Sequence, residues 1–554
     1  MNIFRLGALR AGSSLLSGRR GLRLLSAHAV TLAVPLLAMS AVASRGSPAV
    51  REGPSVAANV PATANDLRAP RGQNSALLAA DPTNPRFVVL ANRLDAPKFN
   101  CALQLSGDGG RGWVPANPVP KLPRGAERCY APEIAFDRDG TLYYLFLGLR
   151  GQGNNPMGVF LSTSDDRGRS FSKPQRLLGP RNYQVRMALD PTLGDRGRIH
   201  LVWLHANTDP PLGGLAPPPN PILAAHSDDG GKSFSKPVHV NDPERGLSVA
   251  PALALGENHA VHVLYYDLQD DRRDYQGLEG PTWEGRWSLV STTSSDGGNR
   301  FRRGVVVDDR LKPPERVMLI YTMPPPTLAV GKSGRLFAAW YDARAGDWDV
   351  FMRRSNDSGQ SWQQPVRLND DRVGNGRHQY QPNLSVAPSG RIDAIFYDRR
   401  ADPKNKRNHV YYTYSTDEGR HFAENVRVSS ASSDSKSGQR YTVPSAKGLV
   451  EFGGRVGLLS RDSGALAAWT DTRNIFGSGN RAFISTGQDI FTAEITPPPR
   501  AEGSAVSPGH PTLNDGGSRS APFILLLLAL LVFAAAVGLF QWLRRAPIST
   551  EEAV

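Results

Sequence analysis

One short pattern, Ser-x-Asp-x-Gly-x-x-(Trp or Phe), occurs six times in this chain of 554 residues. The copies run from Ser106 to Phe422 at intervals of about 60 residues, as expected of a repeat that contributes one small sheet per period. The Asp can accept hydrogen bonds from backbone N–H groups of its own turn, and the Gly supplies a positive φ angle. Each copy is therefore predicted to close a hairpin between two strands. The motif aspartates are Asp108, Asp166, Asp229, Asp296, Asp357 and Asp417.

Strand-like runs accompany the copies of this motif. Two precede it, as in Pro326 to Val330 and Leu336 to Tyr341, and one short run such as Pro365 to Leu368 follows it. With the strand that enters the hairpin, each period holds four strands, which favours a β-propeller. Seven units, from about Ser75 to a last one near Gly448, predict an all-β, seven-bladed β-propeller. A six-bladed ring is the alternative if the first unit is only partial.

The seventh unit has neither the hairpin motif nor an obvious fourth strand. Ser55 to Val60, which lies just before the first unit, has residues suited to that strand. Pairing between the two would close the ring and leave no open sheet edge. We therefore expect a propeller domain over residues 46–495, with an N-terminal closing strand at about residues 55–60.

Both ends of the chain carry segments typical of export and membrane anchoring. Residues 1–45 combine several arginines, no acidic residue and an apolar run, which predicts a signal peptide. Its Arg19-Arg20 pair fits either an ordinary basic region or a twin-arginine signal. Residues 496–521 are rich in Pro, Gly and Ser and predict a linker, and residues 522–543 are apolar enough for a transmembrane helix. The basic start of the tail, residues 544–554, predicts a single-pass protein whose propeller lies on the extracytoplasmic side.

Composition excludes several classes of protein. The net charge is +14, but the cations are spread along the chain without a dense block, so no nucleic-acid partner is expected. Two cysteines can build neither a disulfide scaffold nor a four-thiolate zinc site. In an oxidising compartment Cys101 and Cys129 are expected to form one disulfide, with two free thiols as the alternative.

The six motif copies resemble the Asp boxes, or BNR repeats, of the sialidase (neuraminidase) superfamily. Three strand ends, at Tyr341 to Arg344, Tyr397 to Arg400 and Trp469 to Arg473, are similar to those of bacterial proteins described as exo-α-sialidase-like. The resemblance implies glycoside hydrolysis in which three arginines grip the substrate carboxylate, a Tyr with a Glu partner attacks the anomeric carbon, and an Asp serves as acid/base. Where the family has an Arg-Ile-Pro signature, this chain has Arg68-Ala69-Pro70.

Topology predicts where such a site would lie. If the Asp boxes lie on one face of the ring, the loops between second and third strands, and those between blades, gather on the opposite face. The candidate catalytic residues in these loops are Tyr380, Tyr441, Glu451, Asp342 and Asp398. The candidate substrate-binding residues are Arg344, Arg377, Arg399, Arg400, Arg440, Asp471 and Arg473. The wider set of loop residues includes Arg93, Asp95, Arg128, Tyr130, Glu133, Arg181 and Tyr183.

These residues have a structural alternative. The Asp and Arg at corresponding strand ends could pair with each other or between neighbouring blades and hold the loops, and Tyr380 and Tyr441 could be packed loop residues. Arg, Asp and Tyr together are nevertheless the side chains that suit anionic or hydroxyl-rich glycans. Two functions remain open at this stage. One is an exo-α-sialidase-like glycoside hydrolase, and the other is a non-catalytic propeller that binds a glycan or a protein.

No pattern in the chain predicts a metal centre or a cofactor. The 11 histidines are scattered without metal-ligand spacing, and neither a zinc-protease motif nor a phosphate-binding loop is present. Oxygen-rich loops at Asp270 and Asp271, and at Asp398 and Asp402, keep Ca²⁺ open as an alternative, although no ordered ligand series occurs. The sequence leaves the oligomeric state open.

Overall fold

The computed structural model describes residues 53–64, 66, 72–95, 99–117, 119–151, 155–208, 217–275, 282–314, 325–437, 439–440, 450–473 and 487–498. These residues form an all-β, seven-bladed β-propeller, so the predicted fold class and blade number are confirmed. The predicted signal peptide and transmembrane segment lie outside the described residues. Within the described part of the chain, no helix is both long and apolar enough to span a membrane.

The first four blades are antiparallel sheets of four strands each. Their strands follow one another in chain order from the inner to the outer strand. Blade 1 consists of β3 (Gln73–Asp81), β4 (Asn84–Leu94), β5 (Asn100–Ser106) and β6 (Val114–Pro115), and blade 2 of β7 (Arg128–Phe136), β8 (Leu142–Arg150), β9 (Asn155–Ser164) and β10 (Gln175–Leu178). Blade 3 consists of β11 (Asn182–Asp190), β12 (Arg198–His205), β13 (Ile222–Ser227) and β14 (Val238–His239), and blade 4 of β15 (Ser248–Leu255), β16 (Val261–Asp267), β17 (Trp287–Ser294) and β18 (Val305–Leu311).

The remaining three blades complete the ring. Blade 5 consists of β19 (Thr327–Val330), β20 (Leu336–Asp342), β21 (Asp349–Ser355) and β22 (Val366–Arg367). Blade 6 consists of β23 (Gln379–Val386), β24 (Ile392–Asp398), β25 (Arg407–Ser415) and β26 (Val426–Arg427), with β27 (Ser433–Asp434) also paired to β25. Blade 7 contains β30 (Gly457–Arg461), β31 (Gly464–Asp471) and β32 (Asp489–Thr496), so its inner strand begins nine positions after the predicted start at Gly448, which is not among the described residues.

Short elements lie between the blades. A ladder of β28 (Gln439–Arg440) and β29 (Val450–Glu451) precedes blade 7. One helical turn, α1 (Arg272–Tyr275), follows β16, and three 3₁₀ turns span Glu257–His259, Lys332–Gly334 and Ser435–Ser437.

The N-terminus closes the ring, as predicted. Strands β1 (Ser55–Val56) and β2 (Val60–Pro61) pair antiparallel with β32. Ser55 lies opposite Thr496, and Val60 lies opposite Thr492. Between them the Asn59 amide donates to the Val428 carbonyl at 3.0 Å, which ties the clasp to blade 6. The closing segment is thus two short strands rather than one, and it supplies the outer edge that blade 7 lacks.

The Asp boxes form the hairpins that their residue types predict. In all six copies the Ser hydroxyl donates to the motif Asp at 2.7–2.8 Å and accepts the N–H of the motif Gly at 2.8–2.9 Å. Gly110 shows why glycine is required, because its φ is +105° and a Cβ there would lie 2.6 Å from Leu466 of blade 7. The box ring also reaches the neighbouring sheet, since the Trp113 indole N–H donates to Thr492 Oγ1 at 3.0 Å.

The hydrophobic core lies between the blades. Strands at the second position in each blade are buried on both faces, and Trp203, Trp340 and Trp469 on these strands are at most 1% exposed. Cys101 and Cys129 form the predicted disulfide, which joins β5 of blade 1 to β7 of blade 2. Packing between neighbouring sheets thus holds the ring, and it leaves the inner strands free to present side chains at the centre.

Candidate ligand-binding site at the ring centre

The inner strands of consecutive blades contact one another in a closed circle, from β3 through β7, β11, β15, β19, β23 and β30 back to β3. Five of these strands begin with the same β-bulge. The bulge shifts the register of pairing with the second strand, and it contains one residue with a positive φ angle. A non-glycine residue in this conformation is uncommon, so its repetition marks a constrained position. The bulge residues are Ser75, Ala131, Gln184, Ala250 and Gln381.

Hydrogen bonds connect the bulges of adjacent blades. Gln184 Oε1 accepts the Ala250 N–H at 2.7 Å, and Gln381 Nε2 donates to the Gly453 carbonyl at 2.5 Å. Ser75 Oγ accepts the Gly454 N–H at 3.0 Å. Gly453 has a φ of +96° and occupies the equivalent position in blade 7. These bonds hold the starts of the inner strands in register around the centre.

Three charged residues two positions after the bulge meet at the centre. Arg186 of blade 3 contacts Glu133 Oε1 of blade 2 at 3.3 Å, and Arg455 of blade 7 pairs with the same oxygen. Arg455 also donates to the Pro132 carbonyl at 2.7 Å. Because blade 1 lies between blades 7 and 2, Arg455 reaches past the neighbouring blade. We call Glu133, Arg186 and Arg455 the ring-centre cluster.

The ring-centre cluster carries more positive than negative charge. Two guanidinium groups share one carboxylate, and the side chains of Glu133, Arg186 and Arg455 are only 6%, 16% and 15% exposed. Burial, together with the positive charge of Arg455, lowers the pKa of Arg186 to about 10, against the opposing influence of Glu133. Arg186 still remains protonated at neutral pH. The centre therefore holds a surplus positive charge that an anion would neutralise.

A second group lies beside the cluster, at the start of the same strand β7. The Arg93 guanidinium donates to both oxygens of Asp95 at 2.7 and 2.9 Å, and to the Tyr130 hydroxyl oxygen at 2.7 Å. Asn74 Nδ2 donates to Asp95 at 2.8 Å, and Phe99 packs edge-on against the Tyr130 ring at 5.1 Å. Tyr130 and Glu133 flank the bulge at Ala131.

The predicted Asp and Arg pairs are brought together, but within the blades. Trp340 and Trp469 donate their indole N–H to Asp342 and Asp471 at 2.8 and 2.9 Å. Each Asp also binds the guanidinium two residues later, as in the contact of 2.6 Å between Arg344 and Asp342. The same pairing joins Asp471 to Arg473, and Asp398 to Arg400.

Each of these arginines extends to an outer strand or loop. Arg344 reaches Asp308 of blade 4 at 3.1 Å, Arg400 pairs with Asp370, and Arg473 donates to Ser430 Oγ at 2.9 Å. The three aspartates are at most 1% exposed. Burial raises the pKa of Asp342 and of Asp398, although their arginines oppose the shift. These contacts correspond to the structural alternative, in which the pairs hold loops and neighbouring strands.

Tyr380 also occupies a packed position rather than an open one. The residue is fully buried, its hydroxyl donates to Asn408 Oδ1 at 3.0 Å, and its ring stacks on Tyr397 at 5.2 Å. Arg399, only 2% exposed, lies over the Tyr380 ring and donates to Ser435 Oγ at 2.9 Å. Arg377 donates to the Pro403 carbonyl at 2.7 Å. Tyr441 and the side chains of Arg440 and Glu451 are outside the described part of the chain.

The proposed calcium ligands are occupied by N–H donors. Asp271 accepts the Asp274 N–H and the Trp287 indole N–H, each at 3.0 Å. Asp402 accepts the backbone N–H groups of Lys404, Lys406 and Arg407. Among the residues described, no group of three or more His, Cys, Asp or Glu side chains is arranged to hold a metal ion. Backbone N–H groups and the Trp287 indole therefore supply the hydrogen bonds of Asp271 and Asp402 in these turns.

The sequence contained a signal for the ring-centre cluster that strand-end motifs do not reveal. When the units are aligned at the bulge, the position two residues later is Leu77, Glu133, Arg186, Ala252, Asn383 or Arg455. Leu77 and Ala252 show that an inner strand accommodates apolar residues at this position, so a charged residue there is a candidate for function. Arg93, Tyr130 and Glu133 belonged to the predicted loop set, whereas Arg186 and Arg455 did not.

One domain family and several solved structures are similar to this chain. Residues 222–449 match the model of a BNR repeat-like domain. None of the curated proteins matches the chain. Among solved structures, the chain is similar to a Penicillium chrysogenum α-L-arabinanase complexed with arabinobiose, with 14% identity, a TM-score of 0.39, and coverage of 68% of this chain and 96% of that one.

Two further solved structures are similar to the chain. A Streptococcus pneumoniae sialidase has 10% identity and a TM-score of 0.38 over 60% of this chain and 66% of that one. An ulvan lyase, a polysaccharide lyase, has 13% identity and a TM-score of 0.41 over 74% of this chain and 93% of that one. The match to a BNR repeat-like domain and the seven sheets of the structure together describe a β-propeller of BNR type.

Proposed function

We propose that this chain is a glycan-binding propeller that takes the acidic group of a sugar at the ring-centre cluster. The observation that carries the proposal is the convergence of Arg186 and Arg455 on the single carboxylate of Glu133. Planar guanidinium groups bind a carboxylate or sulfate through paired hydrogen bonds, and they do so most strongly where water is scarce. The Asp-box propeller supplies the rigid frame on which such a site is held.

The second candidate function is hydrolysis of a terminal glycosidic bond, as in an exo-α-sialidase-like enzyme. The specific observation in its favour is the hydrogen bond of 2.7 Å from Arg93 to the Tyr130 hydroxyl, three residues before Glu133. A tyrosine hydroxyl is the type of nucleophile that some retaining glycosidases use. Tyr130 therefore replaces Tyr380 as the tyrosine to test.

We also propose that the propeller is displayed outside the cytoplasmic membrane by the apolar segment at residues 522–543. Support comes from the length of that run and from the arginines that follow it. Protease treatment of intact cells should degrade the propeller while sparing a short C-terminal fragment. Recovery of the intact chain in the soluble cytoplasmic fraction would contradict this location.

Binding is tested with the purified full-length protein on an array of uronate-, sulfate- and sialic-acid-bearing glycans beside neutral counterparts. Acidic glycans should bind, and Arg186→Gln or Arg455→Gln should lower their affinity at least tenfold. Arg111→Gln is the matched control, because Arg111 is 70% exposed and pairs with Glu494 in blade 7. Equal binding of neutral and acidic glycans would contradict the proposal.

Hydrolysis is tested on a panel of fluorogenic glycosides that includes a sialoside. If turnover is found, Tyr130→Phe should lower kcat at least a hundredfold without a matching change in the affinity for an acidic glycan. Binding without turnover on any member of the panel would leave the chain as a non-catalytic propeller.

A further inference from the structure

The chain's two cysteines join blades 1 and 2 beside the candidate site. The Cα atoms of Cys101 on β5 and Cys129 on β7 are 5.7 Å apart, and both residues are buried. A covalent bond between neighbouring blades constrains the relative position of the two strands that carry it. The effect of this constraint on the candidate site depends on which site residues lie on those strands.

Both ends of the disulfide adjoin residues of the candidate site. Cys101 lies directly opposite Arg93 in the β4–β5 ladder, and Cys129 immediately precedes Tyr130 on β7. The bond of 2.7 Å between Arg93 and Tyr130 connects the same two blades. A covalent link and a charge-assisted hydrogen bond therefore act side by side at the start of β7.

The start of β7 in turn carries the carboxylate of the ring-centre cluster. Glu133 follows Tyr130 across the bulge at Ala131, and Arg455 binds both Glu133 and the adjacent Pro132 carbonyl. A shift of Tyr130 relative to blade 1 would move this bulge. Positioning of the cluster thus depends on how firmly β7 is held to blade 1.

Both cysteines also line a cavity. A cavity of about 310 Å³ is walled by both cysteines and by Tyr144 and Phe146. Lys121 and Asn100 lie in its lining and are themselves exposed. A small thiol fits in this space, and the Lys121 ammonium group would attract an anionic thiol and favour its thiolate form.

We propose that Cys101 and Cys129 form a thiol-exchange site, open to anionic low-molecular-mass thiols, whose disulfide positions Tyr130 and the ring-centre cluster. This inference rests on the proposed function. A thiolate attacks one cysteine sulfur, forms a mixed disulfide and releases the other cysteine as a thiolate. A second thiol then attacks the mixed disulfide, which leaves two cysteine thiols and the oxidised small-molecule disulfide. The two electrons come from the two small thiols.

The experiment uses the full-length protein and glutathione as the thiol. After exposure to graded glutathione, alkylation and mass spectrometry measure reduction, hydrogen exchange follows the β7 amides, and titration with a glucuronate-terminated oligosaccharide measures affinity. Reduction should occur in the folded protein, speed exchange in β7 but not in β15 of blade 4, and weaken binding at least fivefold. The Cys101→Ser/Cys129→Ser variant should reproduce the reduced state without any thiol.

Lys121→Gln tests the entry route. It should slow exchange with glutathione severalfold while leaving the affinity of the oxidised protein for the oligosaccharide unchanged, and Lys173→Gln, at an exposed lysine of blade 2, should do neither. Resistance of the folded protein to reduction, or unchanged β7 exchange after reduction, would overturn the inference. If the oxidised protein does not bind the oligosaccharide at all, the proposed function fails, and the β7 exchange alone decides whether the disulfide positions the strand.

Discussion

The ring-centre cluster makes a direct prediction about Glu133. Glu133→Gln keeps the size of the side chain but removes the negative charge that Arg186 and Arg455 share. The two guanidinium groups would then face each other in a site with little exposure to water. We expect the variant to fold less stably, and to regain stability when an anion takes the place of the lost carboxylate.

The expected loss of stability follows from the burial of the pair. Removing one partner of a buried ion pair costs about 3–5 kcal/mol, and the partial exposure of Arg186 and Arg455 favours the lower end. An unfolding entropy of about 2.1 cal/mol/K per residue over about 440 residues gives about 0.9 kcal/mol/K. A loss of about 3 kcal/mol therefore lowers Tm by roughly 3 °C. An anion present at a hundred times its Kd would raise the free energy of unfolding of the variant by about 2.7 kcal/mol.

The assay is a thermal melt of both proteins with and without glucuronate. Glu133→Gln should melt lower than the parent, and glucuronate should raise its Tm by more than it raises that of the parent. The control is Glu127→Gln, because the Glu127 side chain is 57% exposed and lies 3.7 Å from Arg128, so its loss should be nearly neutral. An unchanged Tm for Glu133→Gln, or an equal response of both proteins to glucuronate, would refute the reasoning.

Three further predictions concern the frame of the propeller. Burial lowers the pKa of His200 and of His262 to about 4. The free energy of unfolding should therefore be highest above about pH 6.5 and fall by up to about 3 kcal/mol per histidine as the pH drops to 4. The double variant His200→Gln/His262→Gln should show a weaker pH dependence in urea melts. Asp417→Ala removes the acceptor of the Arg420 and His421 N–H groups and should cost about 1–2 kcal/mol in the same assay, whereas Ala at the exposed Glu424 should be neutral. Deleting residues 53–61 removes β1 and β2 and exposes the edge of β32, so light scattering should detect association that the parent chain does not show.

The fold could be predicted because its signals are local. Each Asp box stabilises its own turn, so the residues that form it lie within a few positions of one another, and the regular spacing then gives the number of sheets. The closing strand could be predicted because the sequence of the seventh unit holds no obvious fourth strand. Residues 55–60 are strand-like and belong to none of the seven units. The division of that segment into β1 and β2 coincides with Asn59, whose partner in blade 6 lies 369 positions away.

The site was harder to predict because its residues are brought together only by closure of the ring. Arg455 and Glu133 are 322 positions apart, and nothing near either residue indicates the other. The Asp and Arg at the ends of second strands were predicted as site residues because they repeat from blade to blade. This repetition reflects a structural pairing, such as that of Asp342 with Arg344. Tyr380 had arginines nearby in sequence, but its ring is buried between blades.

The clasp at blade 7 determines how the ring responds to tension. Ser55 lies opposite Thr496, so the pairing between the strand that enters the propeller and the strand that leaves it ends at the same point on both strands. In an antiparallel ladder pulled from that point, hydrogen bonds separate one after another rather than together. A force applied between the two ends would therefore unzip β1 and then β2 from β32, and the ring would open at this seam before any single sheet lost its own strands.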